Sequence, residues 1–232
     1  WPVRTSSITR LSLLSPRFSG SIVARMLLAC RAITEFEVVS PHEHQPYDNE
    51  FYEDVGMALV EHAGTLVSLS LGHALAQVEG STGLVLDQCS GVFRVCNRLS
   101  SLTFLRVNPL LLLGCNVPRK WTIDTSSVLA DALPSTIEHL WLDEPRRPWH
   151  LGLLAYLRGV YGAVRSGRLT QLKSIHVHWH QCFPHNSDTV ISHVRGLMYL
   201  REDSLRAAPT IAFNVTMRIA YSSSGKSPLS IY

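Results

Sequence analysis

One pattern constrains this chain more than any other. An apolar residue, two residues of any kind, a second apolar residue, one more of any kind and a third apolar residue recur along its length. The pattern occurs as Ile8, Leu11, Leu13; Ile33, Phe36, Val38; Leu66, Leu69, Leu71; Leu102, Leu105, Val107; Ile137, Leu140, Leu142; and Leu172, Ile175, Val177. Successive starts are 25, 33, 36, 35 and 35 residues apart. One apolar triplet is commonplace, but a series at a settling period points to repeated structural units, and repeats constrain a fold before any motif does.

The last two apolar residues of each triplet are two apart, which is strand spacing with both side chains on one face. Pro16, Pro41, Pro109 and Pro145 follow the triplets closely. Proline lacks the amide donor of a continuing inner strand, so short strands are expected. Helical spacing fills the gaps. Ile22, Met26 and Cys30 read as one face. Phe51, Val55, Leu59 and His62 read as a second, after an acidic first turn of Glu50, Glu53 and Asp54 that suits a helix N-terminus. Further stripes are Cys89, Val92, Phe93 and Cys96; Val128, Leu129, Ala132 and Leu133; and Leu153, Leu157, Val160 and Val164, closing at Arg165 and Gly167. A sixth helix is expected after Asn186 or Ser187, with Val190, Val194 and Leu197 inward. A seventh strand is expected over Ile211–Ile219.

Strand, turn and helix repeated in this way return each strand to the same end, so the strands run parallel. The expected fold is α/β: a solenoid of about six to seven irregular repeats, with a curved parallel sheet inside and helices outside. A single domain over 1–221 and a flexible C-terminal tail over 222–232 follow. A closed α/β domain with a parallel sheet has the same order of elements and remains the alternative.

The triplets resemble leucine-rich repeats over Ser7–Val177. The stretches Leu102–Gly114 and Leu129–Leu142 are similar to the irregular leucine-rich-repeat region of filamentous-fungal proteins, many of which carry an F-box. The resemblance implies a repeat scaffold that holds a substrate while an F-box recruits a ubiquitin-ligase core. That F-box is expected before Trp1. Where the regular repeat has Asn or Cys, this chain has Pro16, Pro41, Ala74, Leu110, Pro145 and His180.

The repeat register also says which residues share the concave surface. The first row is Arg10, Glu35, Ser68, Phe104, His139 and Ser174. The second is Ser12, Glu37, Ser70, Arg106, Trp141 and His176. The third is Leu14, Val39, Gly72, Asn108, Asp143 and His178. Aromatic and Arg side chains are enriched in binding hot spots. Phe104, Arg106, His139, Trp141 and His176 are therefore the expected contact patch for a protein or peptide ligand.

Other signals point elsewhere. His176, His178 and His180 alternate along one strand, followed by Cys182 and His185, with His139 and Asp143 on a neighbouring strand. These are zinc-ligand types, but a solvated polar strand face explains them, and no metal or other cofactor is assigned. The same stretch, His176–His185, would carry the site if the protein were instead an enzyme on a closed domain. Ala220–Ser227 matches a relaxed phosphate-loop pattern, but Pro228 and the nearby end of the sequence leave no helix to cradle phosphate. Asn214-Val-Thr216 matches a glycosylation acceptor inside the last expected strand. Glu35 and Glu37 share a strand face, where exposed charge is the plain reading.

Composition excludes several classes. Hydrophobic residues make up 46% and charged residues 17%, a globular balance. The net charge is only +3, too small for a nucleic-acid binder. The densest apolar run is Leu110–Leu113, far short of the ~18 residues of a membrane span. Five irregularly spaced cysteines without C-x-x-C fit reduced buried thiols and a cytosolic or nuclear setting.

Overall fold

The second and third members of each apolar triplet lie in a strand. In the computed structural model, residues 3–14, 18–39, 49–71, 94–108, 111–112, 126–144, 150–183, 195, 198–199, 201–202, 206, 208–221 and 230–231 are described. The strands are β1 (Arg10–Leu14), β2 (Glu35–Val39), β3 (Ser68–Leu71), β4 (Phe104–Val107), β5 (His139–Glu144), β6 (Ser174–Phe183) and β7 (Ala212–Tyr221). They form one sheet in chain order, every pair from β1 to β7 parallel. Four α-helices are described: α1 (Gly20–Ala29), α2 (Asn49–Val60), α3 (Ser126–Ala132) and α4 (His150–Arg165). A 3-10 helix, Arg94–Arg98, lies between α2 and α3.

Proline accompanies most of the short strands, although β3, with no proline after it until Pro109, is also only four residues long. The strands that precede Pro16, Pro41, Pro109 and Pro145 are four to six residues long. β6 meets no proline before Pro184 and runs for 10 residues.

A recurring backbone bond sets the register. The carbonyl of Thr9, just before β1, accepts the amides of both Thr34 and Glu35. The Thr34 carbonyl takes Val67 and Ser68, and the Val67 carbonyl takes Thr103 and Phe104. The Thr103 carbonyl takes Glu138 and His139, and the Glu138 carbonyl takes Lys173 and Ser174. Threonine hydroxyls reinforce these junctions. Thr34 donates to the Thr9 carbonyl at 3.0 Å and Thr136 to the Leu102 carbonyl at 2.8 Å. Thr65 donates to the Ile33 carbonyl at 3.0 Å. Each strand entrance is thereby fixed to the one before it, which opposes the one-residue slip that would exchange the two faces.

The core lies on one side of the sheet. Phe36, Val38, Leu69, Leu71, Leu105, Val107, Leu140, Leu142, Ile175 and Val177 are buried there with Val23 and Leu27 of α1, Phe51, Val55 and Leu59 of α2, Leu129 of α3 and Leu157 and Val160 of α4. The α2 stripe is the one its spacing predicts. His62, just after α2, is also buried. Its Nδ1 accepts the Ile33 amide at 3.3 Å, so Nε2 carries the hydrogen and donates to the Leu27 carbonyl at 3.0 Å. One side chain thus satisfies two buried backbone groups.

Three expectations need correction. The α1 stripe holds only at its end: Cys30 is buried as expected, but Val23 and Leu27 face the core, whereas Ile22 is exposed and Met26 half-buried. The cause is packing against α2, where a Cβ on Gly20 would stand only 2.5 Å from the Phe51 Cα. The Cys96 stripe ends in a 3-10 helix instead of an α-helix; Cys89, Val92 and Phe93 lie outside the described residues. Within the stretch 222–232 expected as a flexible tail, Ser230–Ile231 forms β8, antiparallel to Met217 and Arg218, and the other residues lie outside the described residues. That pairing satisfies part of the outer edge of β7, which would otherwise be unpaired. The expected helix at 187–197 falls largely outside the described residues. Helix α4 ends at Arg165, and Gly167 has φ +77°, the left-handed conformation common after helix ends.

Gly20→Ala should lower stability by about 1–3 kcal/mol, since its methyl meets backbone that cannot swing away. Urea denaturation of wild type and variant measures this; equal midpoints would mean that α1 and α2 are not in this close contact.

Candidate functional site

Alternate residues of the strands point away from the core, and the cross-strand register assembles them into rows. Arg10, Glu35, Ser68, Phe104, His139 and Ser174 are successive partners across β1 to β6. Ser12, Glu37, Ser70, Arg106, Trp141 and His176 form the second row. These are the two rows that the triplet spacing predicts, and Phe104, Arg106, His139, Trp141 and His176 lie together on this open face, each half-buried.

Trp141 is the centre of the patch. The imidazole of His176 lies nearly parallel to it, with centroids 4.3 Å apart and planes 17° apart. On the other side the Phe104 ring is tilted at 5.9 Å. The Arg106 guanidinium stands 5.8 Å from the indole centroid, within cation–π range. Neighbouring strands lie ~4.8 Å apart, so side chains in one row are close enough to stack directly. His139 takes a different partner: its Nδ1 and the Ser174 hydroxyl are 2.8 Å apart.

Beneath the patch sits a buried carboxylate. Asp143 is 2% exposed. Arg106 reaches it diagonally from β4, Nε to Oδ2 at 2.8 Å and Nη2 to Oδ1 at 3.4 Å. His178 Nδ1 is 3.4 Å from Oδ1 on the other side. The forked guanidinium contact fixes Arg106 in orientation as well as position. The third row departs in part from the surface row expected: Asn108 and Asp143 are buried, whereas Leu14 is exposed and Val39 and His178 are half-buried. An acid placed one row above an Arg on the adjacent strand was the signal in the sequence for this pair.

His176 Nε2 is 2.9 Å from the Thr216 hydroxyl of β7. Burial lowers the His176 pKa first, with the neighbouring His178 and Arg106 adding to the effect and Asp143 opposing it. The imidazole is thus held neutral, which suits a ring stacked flat on indole. Thr216 was not singled out as a site residue in the sequence, because the last unit is one residue shorter between its turn and its strand. Ile211, Phe213 and Val215 replace the regular triplet there, with Phe213 and Val215 opposite Ile175 and Val177.

The residues that carry the chemical signals are described only in part. Among the described residues no group of three His, Cys, Asp or Glu side chains is placed to hold a metal ion. The side chains of His180 and Cys182, and all of His185, lie outside the described residues. Cys30 and Cys96 are free buried thiols. Burial pushes the Cys96 thiol up to about 12, far from the thiolate a nucleophile needs. Residues 222–227 of the phosphate-loop pattern lie outside the described residues, and Ser230–Ile231 further on is strand, not helix. Among the described residues no helix is long and apolar enough to cross a membrane.

No protein-family model, curated protein or solved structure matches the chain.

Arg106→Met should destabilise the fold by about 3–5 kcal/mol, because it removes the guanidinium from a buried carboxylate. The double variant Arg106→Met with Asp143→Leu should recover much of that loss. Chemical denaturation of the two single variants and the double variant measures the coupling; strictly additive losses would contradict the buried pair.

Proposed function

We propose that this chain is a non-enzymatic scaffold that binds a protein or peptide on the open face of its sheet. We read its units as a leucine-rich-repeat-like solenoid. The reading is supported by strands that follow one another in chain order and by the repeated carbonyl junction between them, since stacked similar units produce both.

The observation that carries the functional reading is the aromatic row Phe104, Trp141 and His176 with Arg106 beside it. Large planar side chains and Arg contribute most of the binding energy at typical interfaces. Here they are already stacked and anchored, so little side-chain freedom remains to be lost on association. His176 has its Nε2 committed to Thr216 and its ring face to Trp141. That arrangement favours a packing role over that of a general base, which must reach a substrate proton. Selection of substrates for a ubiquitin ligase, in the cytosol or nucleus, rests on the family resemblance alone.

The test is quantitative affinity purification from the source cell with wild-type, Trp141→Ala and Leu140→Ala baits. Trp141→Ala should keep the fold and lose specific partners. Leu140, fully buried on the opposite face, should instead cost about 2–5 kcal/mol of stability when cut to Ala. Retention of every partner by a folded Trp141→Ala bait would contradict this reading. Recovery of ligase core subunits with the full-length gene product would extend it to ubiquitination.

A further inference from the structure

Beside the aromatic patch, the same face contains a depression of about 430 Å³. Its origin is a difference in side-chain height. β3 presents only Ser68 and Ser70 to this face, between Glu35 and Glu37 on β2 and Phe104 and Arg106 on β4. The two serines make a floor, the carboxylates one wall, and the ring and guanidinium the other.

The charges in this depression do not cancel locally. Arg10 is paired with Glu35 at 3.1 Å. Arg106 is paired with the buried Asp143. Glu37 accepts only the Ser12 hydroxyl, at 3.1 Å, and has no cationic partner among the described residues. The one unbalanced charge of the depression is therefore a carboxylate. Across Ser70 it faces Arg106, which is already paired with Asp143, and Phe104 lies diagonally from it across Ser68.

We infer that this depression receives a lysine or arginine side chain of an extended peptide. The inference rests on the scaffold reading above and names the ligand that reading leaves open. The aliphatic stem of such a side chain packs on Phe104, and its charged end replaces water at Glu37. The protein as a whole carries a net charge of +3, so its overall field does not gather cationic peptides. Attraction of one is a local property of this face.

Fluorescence anisotropy with three labelled octapeptides tests the inference: alternating Gly-Lys, Gly-norleucine and Gly-Glu sequences, in 150 mM salt. The Gly-Lys peptide should bind the intact chain, and the other two should bind at least tenfold more weakly. Glu37→Gln should weaken Gly-Lys binding at least tenfold with no change in thermal melting, and Ser70→Tyr, which fills the floor, should abolish it. Equal binding of Gly-norleucine and Gly-Lys, lost in Trp141→Ala, would overturn the inference while leaving the scaffold reading intact. Unchanged affinity in Glu37→Gln, or no Gly-Lys binding at millimolar concentration, would also overturn it. The capture experiment with the Trp141→Ala bait then judges the scaffold reading separately.

Discussion

The open face depends on one backbone carbonyl at each strand entrance from β2 to β6, which takes two amides from the incoming strand. Thr9, Thr34, Val67, Thr103 and Glu138 supply these carbonyls in turn. A parallel sheet has no tight hairpins to set its register, so some other device must do it. The shared carbonyl, reinforced by threonine hydroxyls, is that device. A slip of one residue where β5 enters the sheet would bring Trp141 into the core and expose Leu140.

The two faces of the sheet differ in what they contribute to stability. The core face is apolar from Phe36 to Val177 and supplies the burial that holds strands to helices. The open face makes few demands on stability except at Asp143, whose buried charge needs Arg106 and His178 nearby. That demand also acts on the aromatic patch. It pins Arg106 beside Trp141 and keeps the centre of the patch rigid.

Much of this was legible in the sequence, and the reason is periodicity. The triplet spacing locates β1 to β6 and predicts both surface rows, because alternate residues of a strand fall on opposite faces. The stripe Phe51, Val55, Leu59 and His62 is legible for the same reason, as a full helical face. What escaped depends on contacts between units. Nothing local to α1 reveals that Gly20 must touch the Phe51 backbone, so its buried face was assigned one residue away. His62 reads as one more inward residue, although its role is to serve Ile33 and Leu27, 29 and 35 positions away. Thr216 depends on a shortened last unit, and the pairing of Ser230–Ile231 with β7 follows no repeat at all.

The central claim is that the aromatic side chains stack on the open face, away from the helices. Nuclear Overhauser contacts from the Trp141 indole test it most directly. The structure requires contacts to the His176 imidazole and the Phe104 ring. Contacts from the indole to the methyl groups of Leu129 or Leu157 instead would place Trp141 in the core and contradict the register on which the functional reading depends.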